Sequence, residues 1–129
     1  MSTSRQHVEA VTESITAAIG DSLNWQWESD RGALLAEFAR DKKERTLAIL
    51  MQKFPDHWDK KSIKLMPKSL KSQLAVLTKL TKEQYLFTIP ATSEQPTILA
   101  IWWPWGHGAT ISLRLMVLTE TYTSPTPKR

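Results

Sequence analysis

The sequence predicts a single α+β domain: a mostly antiparallel sheet of about five to six strands, with two helices (order α-β-β-β-α-β-β-β) packed on one face. Three observations predict it. Several short segments alternate apolar and polar residues, the period of a half-buried strand. Two segments instead repeat their apolar residues every three or four positions, the period of an amphipathic helix. The strand-like segments come in consecutive triplets joined by short turn clusters, which favours meanders over a doubly wound parallel sheet. A chain of 129 residues fits one domain, expected over residues 1–122 with a flexible C-terminal tail at 123–129.

Residues 5–19 read as the first helix. Val8, Val11, Ile15 and Ala18 or Ile19 form one stripe, Ser4 is a candidate N-cap, and Gly20 stands where a helix stop belongs. In residues 23–28, Leu23, Trp25 and Trp27 face one way and Asn24, Gln26 and Glu28 the other. A turn cluster at 29–32 leads to a second strand at 33–39. Residues 45–53 (RTLAILMQK) are expected to form a third strand, and residues 54–62 a charged loop interrupted by Pro55. The second helix starts near Pro67, a residue suited to a first turn. Leu70, Leu74 and Leu77 form its apolar stripe; Lys64, Lys68, Lys71, Lys79 and Lys82 fall on another side. Strands follow at 84–89, 97–103 and 110–122. The second of these is apolar on both faces and so belongs in the middle of the sheet or is covered on both sides. In the third, Ile111, Leu113, Leu115 and Val117 point inward, and Thr110, Ser112 and Arg114 outward.

The stretch IWWPWGHGAT, residues 101–110, crowds three tryptophans and a histidine into a reversal. Successive strand side chains alternate in direction, so Trp102 and Trp103 serve opposite faces. Pro104, Gly106 and Gly108 are turn chemistry. Trp105 and His107 are what the turn alone does not explain.

The chain has no cysteine, which excludes disulfides and thiolate chemistry from it. The opening MSTSRQHVEA lacks the apolar run of a signal peptide, and the longest uncharged stretch is broken by prolines and glycines, so a cytoplasmic protein without a transmembrane segment is expected. No Walker A loop, G-x-S-x-G elbow or G-x-G-x-x-G is present. His7, His57 and His107 have no metal-ligand spacing; Asp56-His57-Trp58-Asp59 is the nearest approach to a ligand cluster. No catalytic residue, cofactor site or metal site is assigned.

Charge is unevenly placed. Residues 1–39 carry two basic and six acidic residues, while residues 40–82 carry twelve basic and four acidic. A concentrated positive field favours an anionic partner. The sequence is therefore read as a non-enzymatic protein–protein interaction module (an adaptor, assembly or regulatory factor) using the Trp-rich hairpin and the basic helix. Its candidate contact residues are Trp105, His107, Lys64, Lys68, Lys71, Lys79, Lys82 and Arg114. The alternative is a nucleic-acid-binding protein contacting phosphates through the lysine-rich second helix. Another protein is the expected partner, and a homo-oligomer is compatible with the sequence.

Overall fold

The computed structural model describes residues 4–118. It is an α+β fold with one six-stranded, fully antiparallel sheet. The elements in chain order are α1 (Arg5–Val11), α2 (Glu13–Ile19), β1 (Gln26–Glu28), β2 (Ala33–Ala39), α3 (Lys43–Lys53), β3 (Asp56–Trp58), α4 (Lys68–Leu74), β4 (Tyr85–Ile89), β5 (Thr97–Pro104) and β6 (Thr110–Leu118). The strands lie in the order β1-β2-β6-β5-β4-β3. Residues 119–122 of the last predicted strand and the expected tail at 123–129 lie outside the described residues.

The first helix follows its sequence signals and then departs from them. Ser4 caps α1, its side chain accepting from the His7 N–H at 3.2 Å, and Gly20 ends α2 at φ 72°. The expected continuous helix is split at Thr12. This fully buried residue donates its hydroxyl to the Val8 carbonyl at 2.7 Å, an internal bond that competes with helix continuation.

The third strand expected over residues 45–53 is helix α3. A short apolar run such as Leu-Ala-Ile-Leu does not distinguish a strand from a buried helix. The topology decides. The chain must travel from β2 to β3, four strand spacings away, a distance of about 19 Å. The 11 residues of α3 span about 16 Å as a helix. Thr46 and Leu50 point inward and Met51 is exposed. The loop expected over 54–62 contains the edge strand β3, which begins directly after Pro55, a residue that cannot donate to a ladder.

The sheet is covered on both faces, not on one as expected. On the first face, Val8, Ile15, Ile19 and Leu50 from α1–α3 pack with Leu34, Phe38, Phe87, Trp102, Leu113 and Leu115. On the second face, Met66, Leu74, Leu77 and Leu80 pack with Leu86, Leu99, Ile101, Trp103 and Met116. This second cover consists of a 3-10 turn (Ser62–Leu65), α4 and a second 3-10 turn (Ala75–Thr78). The expected second helix is thus only its middle piece. Strand β5, apolar on both sides in sequence, is central as expected and buried at every position but Pro104.

The α3 assignment makes opposite predictions for two neighbours. Leu50→Ala should cost about 2–5 kcal/mol of unfolding free energy, as for other fully buried leucines. Met51→Lys should fall within about 0.5 kcal/mol of the parent. Urea denaturation followed by circular dichroism measures both; a large loss at Met51 contradicts the helix.

Candidate interaction surface

The tryptophans of the 101–110 stretch separate by role. Trp102 is buried in the first face, its ring edge-on to Phe38 at 5.6 Å, and Trp103 is buried in the second. Trp105 is half-buried, and its Nε1–H donates to the Ser112 hydroxyl at 2.8 Å. Its backbone N–H donates to the Thr110 carbonyl and its own carbonyl accepts from Gly108, each at 2.8 Å. Gly108 adopts φ 77°, a conformation open to glycine at little cost. The exposed His107 ring lies 5.5 Å from that of Trp105, and its Nδ1 accepts from the Ala109 N–H at 3.0 Å. Arg40 clips the tip from β2, donating its backbone N–H to Ala109 and its Nη1 to Gly108. The tip is therefore a rigid corner, with Trp105 engaged within it and His107 on its outside.

Arg114 is directed away from Ile111, Leu113 and Leu115, as expected, but is not at the surface. It is 5% exposed and grips Glu28 with two bonds, Nε to Oε1 at 2.7 Å and Nη2 to Oε2 at 3.0 Å. Arg31 approaches the same carboxylate at 3.7 Å. A bidentate arginine–carboxylate pair is a strong, directional contact, and here it ties β1 to β6 across β2. Arg114 is thus a bracing residue. Only strand pairing reveals this, since Glu28 and Arg114 stand 86 positions apart.

The lysines are placed differently. Residues 60–82 contain seven lysines and no acidic residue. Lys60, Lys61, Lys64, Lys68, Lys79 and Lys82 are exposed. Lys71 is half-buried and its Nζ donates to the Lys64 carbonyl at 3.3 Å, fastening α4 to the preceding turn. Among the described residues, none of the seven has a carboxylate at ion-pairing distance. They do not share one helical face. The helix stops at Leu74, and Ala75 takes φ 51°, so Lys79 and Lys82 lie past a break in the helix.

Two further features belong to this surface and were not singled out from sequence. Leu65 is 74% and Val76 43% exposed, each within the lysine-rich segment. Between α4 and the ends of β3, β4 and β5 lies a cleft of about 400 Å³, bordered by Trp58, Pro67, Leu70 and Pro90. The Trp58 Nε1–H donates to Thr88 Oγ1 at 3.0 Å, which sets the indole against this cleft.

The turn that displays Lys64 and Leu65 is held by Asp59. Its carboxylate accepts from the backbone N–H groups of Ser62 at 2.8 Å and Lys61 at 2.9 Å. Its own N–H donates to Ser62 Oγ at 2.9 Å. The Ser62 N–H, the largest influence, holds the Asp59 carboxyl below the usual aspartate range. Burial opposes the shift, while the Ser62 hydroxyl, the Lys61 N–H and His57 add to it. The Asp56–Asp59 cluster is not a ligand set. Strand alternation sends His57 to the first face, 6.3 Å from Phe87, and Asp56 to the second. Among the described residues, no group of three or more His, Asp or Glu is placed to hold a metal ion, and no helix is long and apolar enough to cross a membrane.

No family model matches this chain, and neither a curated protein nor a solved structure is detectably similar to it.

Two predictions follow from the bonds at Glu28 and Asp59. Glu28→Leu removes the two charged bonds that hold Arg114 to β1 and should lower the unfolding free energy, by up to about 3–5 kcal/mol. Adding Arg114→Met should recover much of that loss, measured by a double-mutant cycle in denaturant. Because the folded pKa of Asp59 is lowered, its contribution is fully present above the unfolded pKa, near 4. It is lost as pH falls through the folded value. The titration midpoint of the Asp59 carboxyl carbon by NMR should lie below 3.8, and Asp59→Asn should flatten that part of the acid-unfolding curve.

Proposed function

We propose that the protein is a non-enzymatic interaction module that binds an acidic partner protein through its lysine-rich segment, residues 60–82. The observation that carries this reading is the segment's seven lysines without a single acidic residue, on the outer side of the second-face cover. Such an uncompensated patch attracts an anionic partner and speeds encounter. Leu65 and Val76, exposed among the lysines, supply the apolar contacts that the middle of a protein interface requires. The hairpin contributes His107 and the half-exposed Trp105 at most as a neighbouring corner. Its other tryptophans belong to the core.

Nucleic-acid binding is the second reading, favoured by the same charge. It is less well supported because base stacking needs exposed aromatic rings. Among the described residues, none of the tryptophans, tyrosines or phenylalanines is more than half-exposed.

Affinity capture from lysate at about 0.15 M salt, with parent and Lys64→Glu/Lys68→Glu proteins, tests the proposal. The expected result is an acidic protein retained by the parent and released at high salt. The double variant should bind it about tenfold more weakly, from lost and reversed surface pairs worth roughly 0.2–1 kcal/mol each. Retention indifferent to charge reversal overturns the proposal. A gel shift of single-stranded or duplex DNA that the same substitutions abolish moves the assignment to nucleic acid.

A further inference from the structure

We infer that this chain associates with itself head to tail, the Leu65 turn of one copy seating in an acidic cleft of the next. The inference takes from the proposed function only that segment 60–82 is a contact surface, and it names a second copy as one occupant.

The receiving site is a cleft of about 380 Å³ between α1–α2 and the β1–β2 side of the sheet. Trp25 and Leu34 give it an apolar floor; Glu9 and Glu13 are exposed at its border. Although the helix is split at Thr12 between them, both carboxylates border this one cleft. Glu9 meets Arg5 at 3.5 Å, but both side chains are about half exposed, 49% and 51%, so this pair competes poorly with a new partner. Glu13 has no cationic partner among the described residues. Residues 1–39 as a whole carry six acidic against two basic side chains.

The inserting element is the 3-10 turn Ser62–Leu65. Leu65 is the most exposed large apolar side chain among the described residues, at 74%. Lys61 and Lys64 precede it three positions apart, the spacing at which side chains eclipse on a 3-10 turn. An apolar tip with two positive charges therefore meets an apolar floor with two negative ones. Asp59 holds the turn in place before any docking, which lowers the ordering cost of association.

The geometry fixes the mode. The acidic cleft belongs to the cover of the first face and the Leu65 turn to the cover of the second. The two surfaces lie on opposite sides of one sheet, so a molecule cannot satisfy its own. Docking of unlike surfaces is heterologous, and it closes into a ring or continues as a filament.

Sedimentation velocity of the full chain, over a concentration series at roughly 0.02 M and 0.5 M salt, is the test. Mass should rise with concentration at low salt and fall back at high salt. Glu9→Lys/Glu13→Lys should be monomeric, as should Lys61→Glu/Lys64→Glu. Mixing the two variants should restore association, because each then offers the complement of the other. That recovery also shows that neither variant had lost its fold. A parent protein monomeric at low salt, or a mixture that stays monomeric, overturns the inference. Glu9→Lys/Glu13→Lys should still capture the acidic partner protein. A parent protein that captures the acidic partner but never self-associates removes this inference alone, and a parent that self-associates but captures no acidic protein removes only the function proposed above.

Discussion

The pairing of β2 with β6 is the contact on which the rest of the structure depends. It runs from Leu34↔Leu115 to Ala39↔Thr110 and joins segments some 75 positions apart. The β1–β2, β4–β5 and β5–β6 pairs are local hairpins that need little chain closure. Without the β2–β6 ladder, β1–β2 is an isolated two-stranded hairpin, marginal in water, cut off from the β3–β6 sheet. Both faces reinforce the ladder. On the first, Phe38 of β2 reaches across β6 to Trp102 of β5. On the second, Glu28 reaches across β2 to Arg114. The one buried cation of the described core is therefore spent on the junction that is entropically dearest to close.

Two consequences follow from putting β2 beside β6. Strands β5 and β6 become central and cannot leave either face to water, which is why two covers are needed. The chain leaving β2 must also cross to the far edge, which is why residues 45–53 are helical despite their strand-like composition. The second cover is assembled from short pieces. Its inner positions are apolar, Met66, Leu70, Leu74, Leu77 and Leu80, and its outer positions must be polar. Polarity alone does not account for seven lysines. Serine, glutamine or glutamate would solvate an outer face equally well, and a glutamate four positions from a lysine stabilises a helix. The fold leaves that choice free, so the absence of any acidic residue is a feature that the proposed contact surface would account for.

While β3 lay in an expected loop, sequence showed the α+β class, five of the six strands and the burial of β5 on both sides. Periodicity there is long and unambiguous. It also located the Ser4 cap and the Gly20 stop, because caps are local chemistry. It did not show α3, whose Leu-Ala-Ile-Leu run satisfies either period, nor the second cover, which depends on knowing that both sheet faces are apolar. Of the candidate contact residues, Lys64, Lys68, Lys79 and Lys82 are exposed, but sequence did not show the half-burial of Lys71 or the break at Ala75 that separates Lys79 and Lys82 from the helix. Arg114 was misplaced because a strand alternation separates two faces without saying whether the polar one reaches water. Trp105 was left unexplained for a similar reason: its partner Ser112 lies across a hairpin whose register sequence does not fix.

The division of labour between cations supports a docking surface over a phosphate-binding one. Where this protein needs a buried, oriented cation it uses arginine, whose planar fork holds a carboxylate with two parallel bonds. In residues 60–82 it uses lysine seven times and arginine not at all. Lysine is a compact, strongly hydrated charge on a flexible stem, suited to long-range attraction and quick release. Bidentate phosphate recognition favours arginine. Exposed Leu65, preceded by the exposed Lys61 and Lys64, offers an apolar contact beside solvated charge. On the proposed function, Leu65 should govern dissociation while the lysines govern the rate of encounter and its sensitivity to salt.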